Sequence, residues 1–282
     1  MTDYEHHHWE ITSEHALLDL KLKATWEYRD LLWLLVRRDF VSLYKQTILG
    51  PLWFIIQPLL TTIIYTVVFG SIAGISTDGL PKPLFYMAGI TTWNYFSDCF
   101  LKTSGIFRDN AGIFGKVYFP RLVVPLSNIV SNVVRFAIQM LLFLFFIIWY
   151  AVQGAAIHPN MYLLLFPVLV ILMAAMGLGA GMIISSLTTK YRDLTFLVTF
   201  GMQLLMYATT VIYPLSAAPE KYKWLVTANP MTPVIETFRY GFFGQGSFSW
   251  GMLGYACIVT IALLIAGLIV FTKVEKNFID TV

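Results

Sequence analysis

Arg37, Arg38 and Lys45 sit in a stretch, Trp26 to Thr47, that is apolar but interrupted by charge. Fixed cations beside an apolar surface can offer counter-charge to phosphate groups. Arg135 poses a different problem, because it stands about a dozen residues into an apolar run, where exposure to hydrocarbon costs about 2.5–3.5 kcal/mol. Its place is a bundle interior, a subunit contact or an aqueous path, and in the last case it would line or gate that path. Asp98 and Lys102 are one helical turn apart and can neutralise each other. Glu236 and Arg239 stand at i, i+3 and form a second possible pair on a helix surface.

Other chemistry finds no support. Gly115-Lys116 is followed by Val117 and lacks the earlier glycine, so no phosphate loop of the Gly-x-x-x-x-Gly-Lys-Ser/Thr kind can form. His6-His7-His8 lie in a polar tail that fixes no metal geometry. Cys99 and Cys257 fall inside apolar runs and read as small buried hydrophobes. No nucleophile elbow and no zinc-protease pattern occurs. The expectation is a chain with no catalytic residues, no metal and no cofactor of its own, unable to extract work from ATP. The net charge of +3 says nothing about nucleic acid, because the basic residues are spread over short loops and form no single patch, and no nucleic-acid partner is expected.

The elements that must position these residues are membrane helices. Hydrophobic residues make up 57% of the chain and charged residues 12%, where a soluble domain carries about 25% charged. Gln46–Thr77, Phe136–Thr189, Leu194–Pro219 and Tyr240–Thr272 contain no Asp, Glu, Lys or Arg. A hydrocarbon core about 30 Å thick needs roughly 20 apolar residues in a helix. The pattern predicts an all-α polytopic membrane protein with six spans, near 52–74, 84–106, 123–150, 161–187, 194–214 and 250–272. Pro58 and Pro167 fall inside spans, where neighbouring helices can satisfy freed backbone groups. Gly177, Gly179 and Gly181 include a Gly-x-x-x-Gly pair and read as a close helix contact. No internal repeat is visible, which weakens the case for a secondary transporter of inverted halves. The polar, acidic opening Met1–His8 does not look like a signal peptide.

Charge selects the orientation. One set of exposed segments holds Lys21, Lys23, Arg29, Arg37, Arg38, Lys45, Lys102, Arg108, Lys116, Arg121, Lys190, Arg192, Lys273 and Lys276; the opposite set holds Lys82, Lys221, Lys223 and Arg239. The positive-inside rule places the richer set, and with it both termini, in the cytoplasm.

Three segments are not simple spans. In Trp26–Thr47, Leu32, Trp33, Val36, Phe40, Leu43 and Tyr44 share an arc of roughly 120°, with Asp30, Arg37, Arg38, Ser42 and Lys45 on the remainder. Such a helix lies along a membrane surface or packs on its own protein, and both can hold. Leu49-Gly50-Pro51 ends it in a sharp turn. The loop Arg108–Arg121 mixes charge with Ile113, Phe114, Val117, Tyr118 and Phe119, which reads either as a docking surface or as a short helix touching lipid. Between the last two spans, Tyr213–Ser249 fits two short helices, Glu220–Val226 and Thr232–Phe242, divided by Asn229-Pro230. Ile235, Phe238, Tyr240 and Phe242 make the second too apolar for a solvated loop, so the pair is expected to dip back into the membrane. The many aromatics, Trp93, Trp149, Tyr207 and Tyr213 among them, read as an interfacial belt or as a lining on which sugar rings slide.

Arg38–Trp53 with Pro58, Lys116–Leu122, Tyr191–Leu194, Asn229–Pro233 and Lys273–Glu275 together resemble, in the same order, the permeases of type-two ABC exporters of polysaccharide and polyol phosphate. The resemblance covers nearly everything after about residue 25. The polar tail (1–24) falls outside it and is assigned no role, and the rest divides into an amphipathic interface helix (25–49) and a six-helix permease domain (50–282). The resemblance further implies a coupling loop at 107–121 and outer gate helices at 217–243. By this likeness Arg108, Asp109, Phe114, Gly115, Lys116 and Tyr118 would couple the chain to a separate ATPase holding ATP and Mg. Arg37, Arg38, Lys45, Leu49 and Gly50 would admit a lipid-linked glycan, with O-antigen favoured over capsule or teichoic acid. Arg135, Tyr213, Asn229, Pro230, Glu236 and Arg239 would serve the channel or its outer gate. The implied setting is the bacterial inner membrane, with two copies of the chain sharing one pathway.

Overall fold

The computed structural model describes residues 22–45, 47–114, 119–191 and 193–278, and every regular element among them is helical. Most of the polar tail expected at 1–24 lies outside the described residues, as do Gly115, Lys116 and Tyr118.

A short helix, Leu22–Glu27, precedes α1 (Arg29–Tyr44). The helix expected over 25–49 therefore stops earlier. The chain then reverses at Gly50, whose φ of 46° a side chain would resist, and Pro51 opens a 3₁₀ turn, Gly50–Leu52. This turn runs into α2 (Trp53–Tyr65), which carries Pro58 and continues as π-helix over Thr66–Ile72. Next come α3 (Lys82–Ser104) and α4 (Val123–Val152). A 3₁₀ turn, Met161–Leu165, is started by the Asn160 side chain accepting from the Tyr162 N–H, and α5 (Phe166–Lys190) follows. Pro167 thus occupies the first turn of α5, where its missing N–H costs nothing. The chain continues through α6 (Leu194–Tyr207), α7 (Glu220–Ala228), α8 (Met231–Phe243) and α9 (Trp250–Phe278).

Four of these helical stretches are long and apolar enough to cross a membrane: Gly50–Ile72, Val123–Val152, Met161–Lys190 and Trp250–Val274. The other two expected spans fall outside this group. α3 has 23 residues but carries Lys82, Asp98 and Lys102, and most of its length is buried inside the protein. α6 has only 14, because the chain leaves the helix after Tyr207.

The core is built around α3, α5 and α8. Glycines let α5 approach a neighbour on each side. A Cβ on Gly177 would stand 2.8 Å from Cys99 Cβ, and one on Gly181 would stand 2.8 Å from the Phe100 carbonyl, both on α3. On the other side, a Cβ on Gly179 would stand 2.7 Å from the Leu263 carbonyl of α9, while Gly267 meets the Gly179 carbonyl itself. Small residues at these crossings are what close membrane-helix packing requires. In contrast, α2 buries only Pro58 and Thr62, and α6 only Met202.

α1 is packed against the bundle as well as amphipathic. Leu35 and Val36 are buried and Leu31 and Leu32 pack beside them, while Trp33 and Leu34 are exposed. The buried stripe is rotated from the expected arc, which had placed Trp33 inside, because α1 docks along α4.

Candidate functional site

Three places hold the singled-out residues. The first is the turn after α3. Ser104 and Thr103 are buried, and the Thr188 hydroxyl of α5 donates to the Ser104 carbonyl at 2.5 Å. Two single-turn helices follow, Ile106–Asp109 and Ala111–Phe114. Phe107 stacks on Phe271 of α9 at 4.9 Å, and Phe114 lies 5.9 Å from both Phe107 and Phe119. Arg121 caps the Phe114 ring at 5.5 Å. Leu35 of α1 and Met182 of α5 complete this apolar cluster. The sequence reads Phe114 and Phe119 as exposed; both are turned inward, at 7% and 6% exposure. The outward face is carried by Arg108, Asp109 and Gly112. Arg108 donates from Nε to Asp109 at 2.7 Å and from Nη1 to the Thr195 hydroxyl of α6 at 2.6 Å. The Asp109 hydrogen bond holds its guanidinium above the ordinary value. This segment is therefore attached to α1, α5, α6 and α9 at once.

The second place is a polar cavity of about 270 Å³ between α1, α3, α4 and the Asp109–Asn110 turn. Arg38, Asp39, Ser42, Lys102, Asn128 and Arg135 line it with those two residues. Arg38 is paired with Asp39 at 2.8 Å. Arg37 and Lys45 are exposed, and Leu49 and Gly50 are half-buried at the turn into α2. Asp98 finds Arg135 at 3.9 Å, across two helices, as its ion-pair partner among the described residues, where local spacing pointed to Lys102. Arg135 also stacks on Phe54 of α2 at 5.0 Å. Asn128, Ser131, Asn132 and Gln139 are buried along the same helix. Their 3–4 spacing with Arg135 is a polar stripe readable in the sequence, and it marks the face of α4 turned to α3.

The third place is the opposite end, around α8. The two short helices are observed at Glu220–Ala228 and Met231–Phe243, and every residue of α8 except Tyr240 is buried. Glu236 and Arg239 are a buried pair at 3.5 Å, their side chains 3% and 2% exposed, and not the helix-surface pair their spacing indicates. The cause is the broken chain after α6. Carbonyls released there in an apolar setting need donors, and Arg239 donates to Thr210 at 2.5 Å and to Val211 at 2.9 Å. Its guanidinium lies 3.6 Å from the centroid of the Phe85 ring. Glu236 accepts from the Ser247 N–H and hydroxyl, each at 3.3 Å. Gly89 leaves the space this clamp needs, since a Cβ there would stand 2.7 Å from Arg239 Nη2. Asn229 donates to the Thr209 hydroxyl at 2.9 Å and accepts from the Met231 N–H at 3.0 Å, with Pro230 completing the turn. Tyr213 donates to the Tyr207 carbonyl at 3.2 Å. Sequence reasoning gave no sign of Phe85, Thr210 or Val211, whose roles arise only from contact with a distant helix.

Known proteins share this arrangement of sequence. The chain is 29% identical over 265 residues to an O-antigen export system permease protein, RfbA, of Klebsiella pneumoniae, covering 93% of this chain and 99% of that protein. It is 26% identical over 266 residues to the RfbA of Myxococcus xanthus, covering 93% and 98%. It is 25% identical over 250 residues to the polysialic acid transport protein KpsM of Escherichia coli, covering 86% and 93%. The family model for the ABC-2 type transporter matches residues 30–243, which run from the start of α1 to the end of α8. This chain belongs to the ABC-2 type transporter family.

Proposed function

We propose that this chain is the membrane half of an ATP-driven exporter that moves a lipid-linked polysaccharide of the O-antigen type from the cytoplasm across the bacterial inner membrane. Two copies share one pathway, and each is seated on a separate ATPase subunit that holds ATP and Mg. In this reading α2, α3, α4, α5, α6 and α9 are the six spans, both termini are cytoplasmic, and α7 and α8 re-enter from the outer face. The cargo rests on similarity to O-antigen export permeases over 93% of the chain.

The observation that carries the mechanism is the apolar cluster behind the turn after α3. Phe107 and Phe114 lock the outward-facing Arg108–Gly112 surface to Leu35, Met182 and Phe271. A push on that surface by the closing ATPase moves the ends of α1, α5 and α9 together, because a packed cluster transmits displacement and does not absorb it. Phe114 then serves as the transmitting side chain, while Arg108 and Asp109 meet the ATPase. Gly115, Lys116 and Tyr118 continue the same segment. Arg37, Arg38 and Lys45 supply counter-charge as the carrier's phosphates approach beside Leu49-Gly50. At the far end Glu236, Arg239, Asn229, Pro230 and Tyr213 hold the outer gate closed until α8 shifts.

The test is reconstitution of the chain with its ATPase in vesicles containing the lipid-linked glycan. ATP-dependent movement of glycan is expected from the complex and none from the chain alone. Uphill movement by the chain alone, driven by an ion gradient, overturns the proposal.

A further inference from the structure

We infer that the cavity between α1, α3 and α4 is a seat for a phosphate-bearing anion, with Lys102 and Arg135 as its fixed cations. The inference rests on the export reading above and deepens it, by stating where the charged group of a lipid carrier is held once it has left the exposed face of α1.

Pairing around the cavity is uneven. Arg38 is matched by Asp39 at 2.8 Å and Arg108 by Asp109 at 2.7 Å. Arg135 has Asp98 at 3.9 Å, a loose contact, and its Nε has no hydrogen-bond partner. Lys102 has no ion pair among the described residues. One positive charge is thus left over in a partly enclosed space, and a second is weakly held. An ion-pair network built only for stability gains by closing such contacts, since a desolvated charge without a close partner is costly. A diphosphate or phosphate group would close them. The cavity, at about 270 Å³, has room for such a group with several waters. The Asn128 amide and the Ser42 hydroxyl place neutral polar groups on its wall.

The geometry also lets Arg135 change partners cheaply. Phe54 holds its guanidinium from the side of α2 at 5.0 Å, so the arginine keeps one fixed contact while an anion draws it from Asp98. The wall includes Arg38 and Ser42 of α1 and Asp109 and Asn110 of the turn after α3. Occupancy is therefore felt both at the helix where cargo arrives and at the segment assigned to the ATPase.

Equilibrium dialysis on the purified permease–ATPase complex tests this. The probes are radiolabelled inorganic pyrophosphate and a short-chain prenyl diphosphate, with the matching prenol as competitor. Lys102→Gln and Arg135→Gln should each weaken diphosphate binding about tenfold, with Arg135→Lys falling between. Asp98→Asn should strengthen it, because it frees Arg135; a merely structural role for the trio predicts weakening there too. Prenyl diphosphate binding far above pyrophosphate identifies a lipid headgroup as the source. Equal affinities that keep the same charge dependence identify a free anion, and the seat stands. Where a glutamine variant fails to assemble with the ATPase, Arg135→Lys and Asp98→Asn carry the test. Diphosphate affinity indifferent to Lys102 and Arg135, or prenol competing as well as the diphosphate, overturns the inference. Glycan transport by the unaltered complex is read separately. Transport with charge-independent binding sinks the seat alone, and absence of transport sinks the reading beneath it.

Discussion

Replacing Arg239 with methionine removes a clamp whose parts can be weighed one by one. The Thr210 and Val211 carbonyls lose their donor, and a buried group left unsatisfied costs about 1–3 kcal/mol. Glu236, 3% exposed, loses its counter-ion, and breaking a buried pair from one side costs about 3–5 kcal/mol. Relaxation and water will recover part of this, so the net loss should be on the order of 5 kcal/mol. A fall of about 10 °C in the thermal midpoint corresponds to a loss of that size. The double variant Glu236→Gln/Arg239→Met should regain part of the loss, since no lone carboxylate remains, but not all, since the two carbonyls stay orphaned. The assay is thermal challenge of the detergent-solubilised complex followed by size-exclusion chromatography. If Arg239→Met melts with the parent, or the double variant is no more stable than the single, the account of Arg239 as the donor for a broken helix is wrong.

Phe114→Asp should leave the partner's basal ATP hydrolysis in place but abolish its stimulation by cargo, while Phe114→Leu keeps most of it; retained stimulation in the aspartate variant removes Phe114 from the transmission path. Arg37→Gln/Arg38→Gln should reduce glycan export several-fold at unchanged complex yield, checked by surface glycan on cells, and undiminished export counts against charge recruitment at α1. Gly267→Val should force α9 off α5, because its Cβ would occupy the Gly179 carbonyl. Overpacking of this kind costs about 1–3 kcal/mol or more, read as lost yield of folded protein, and a normal yield would mean the helices can part without penalty.

Much of this architecture was written in local pattern. Uninterrupted apolar runs located Gly50–Ile72, Val123–Val152, Met161–Lys190 and Trp250–Val274 to within a few residues, since length and hydropathy alone decide such segments. The glycines of α5 announced their close contacts, and Asn229-Pro230 marked the turn between α7 and α8. What pattern could not supply was the burial of the Glu236–Arg239 pair or the contacts charges make with other helices. Spacing offered Lys102 to Asp98 and a helix-surface pairing to Glu236 and Arg239, because sequence periodicity describes one helix at a time. The actual partners, Arg135 for Asp98 and Thr210, Val211 and Phe85 for Arg239, lie tens of residues away. α6 was foreseen too long for a related reason. Nothing before Pro214 warns that helix ends at Tyr207, and the break is tolerable only because an arginine from α8 reaches it. Phe114 was seen as a surface residue for want of knowing that Leu35, Phe107 and Phe271 converge beneath it.

The glycine contact between α5 and α9 bears on which parts of the chain can bend. A backbone pressed against a carbonyl oxygen has no side-chain cushion, so neither helix can slide past the other without first separating, and the pair must swing as one beam. Independent tilting is left to α2 and α6, which have few buried side chains to disengage. One is entered through a glycine elbow and the other ends in an unwound strand of chain. The walls of the protein are thus the parts free to move one by one, hung on a frame that glycine makes move as a unit.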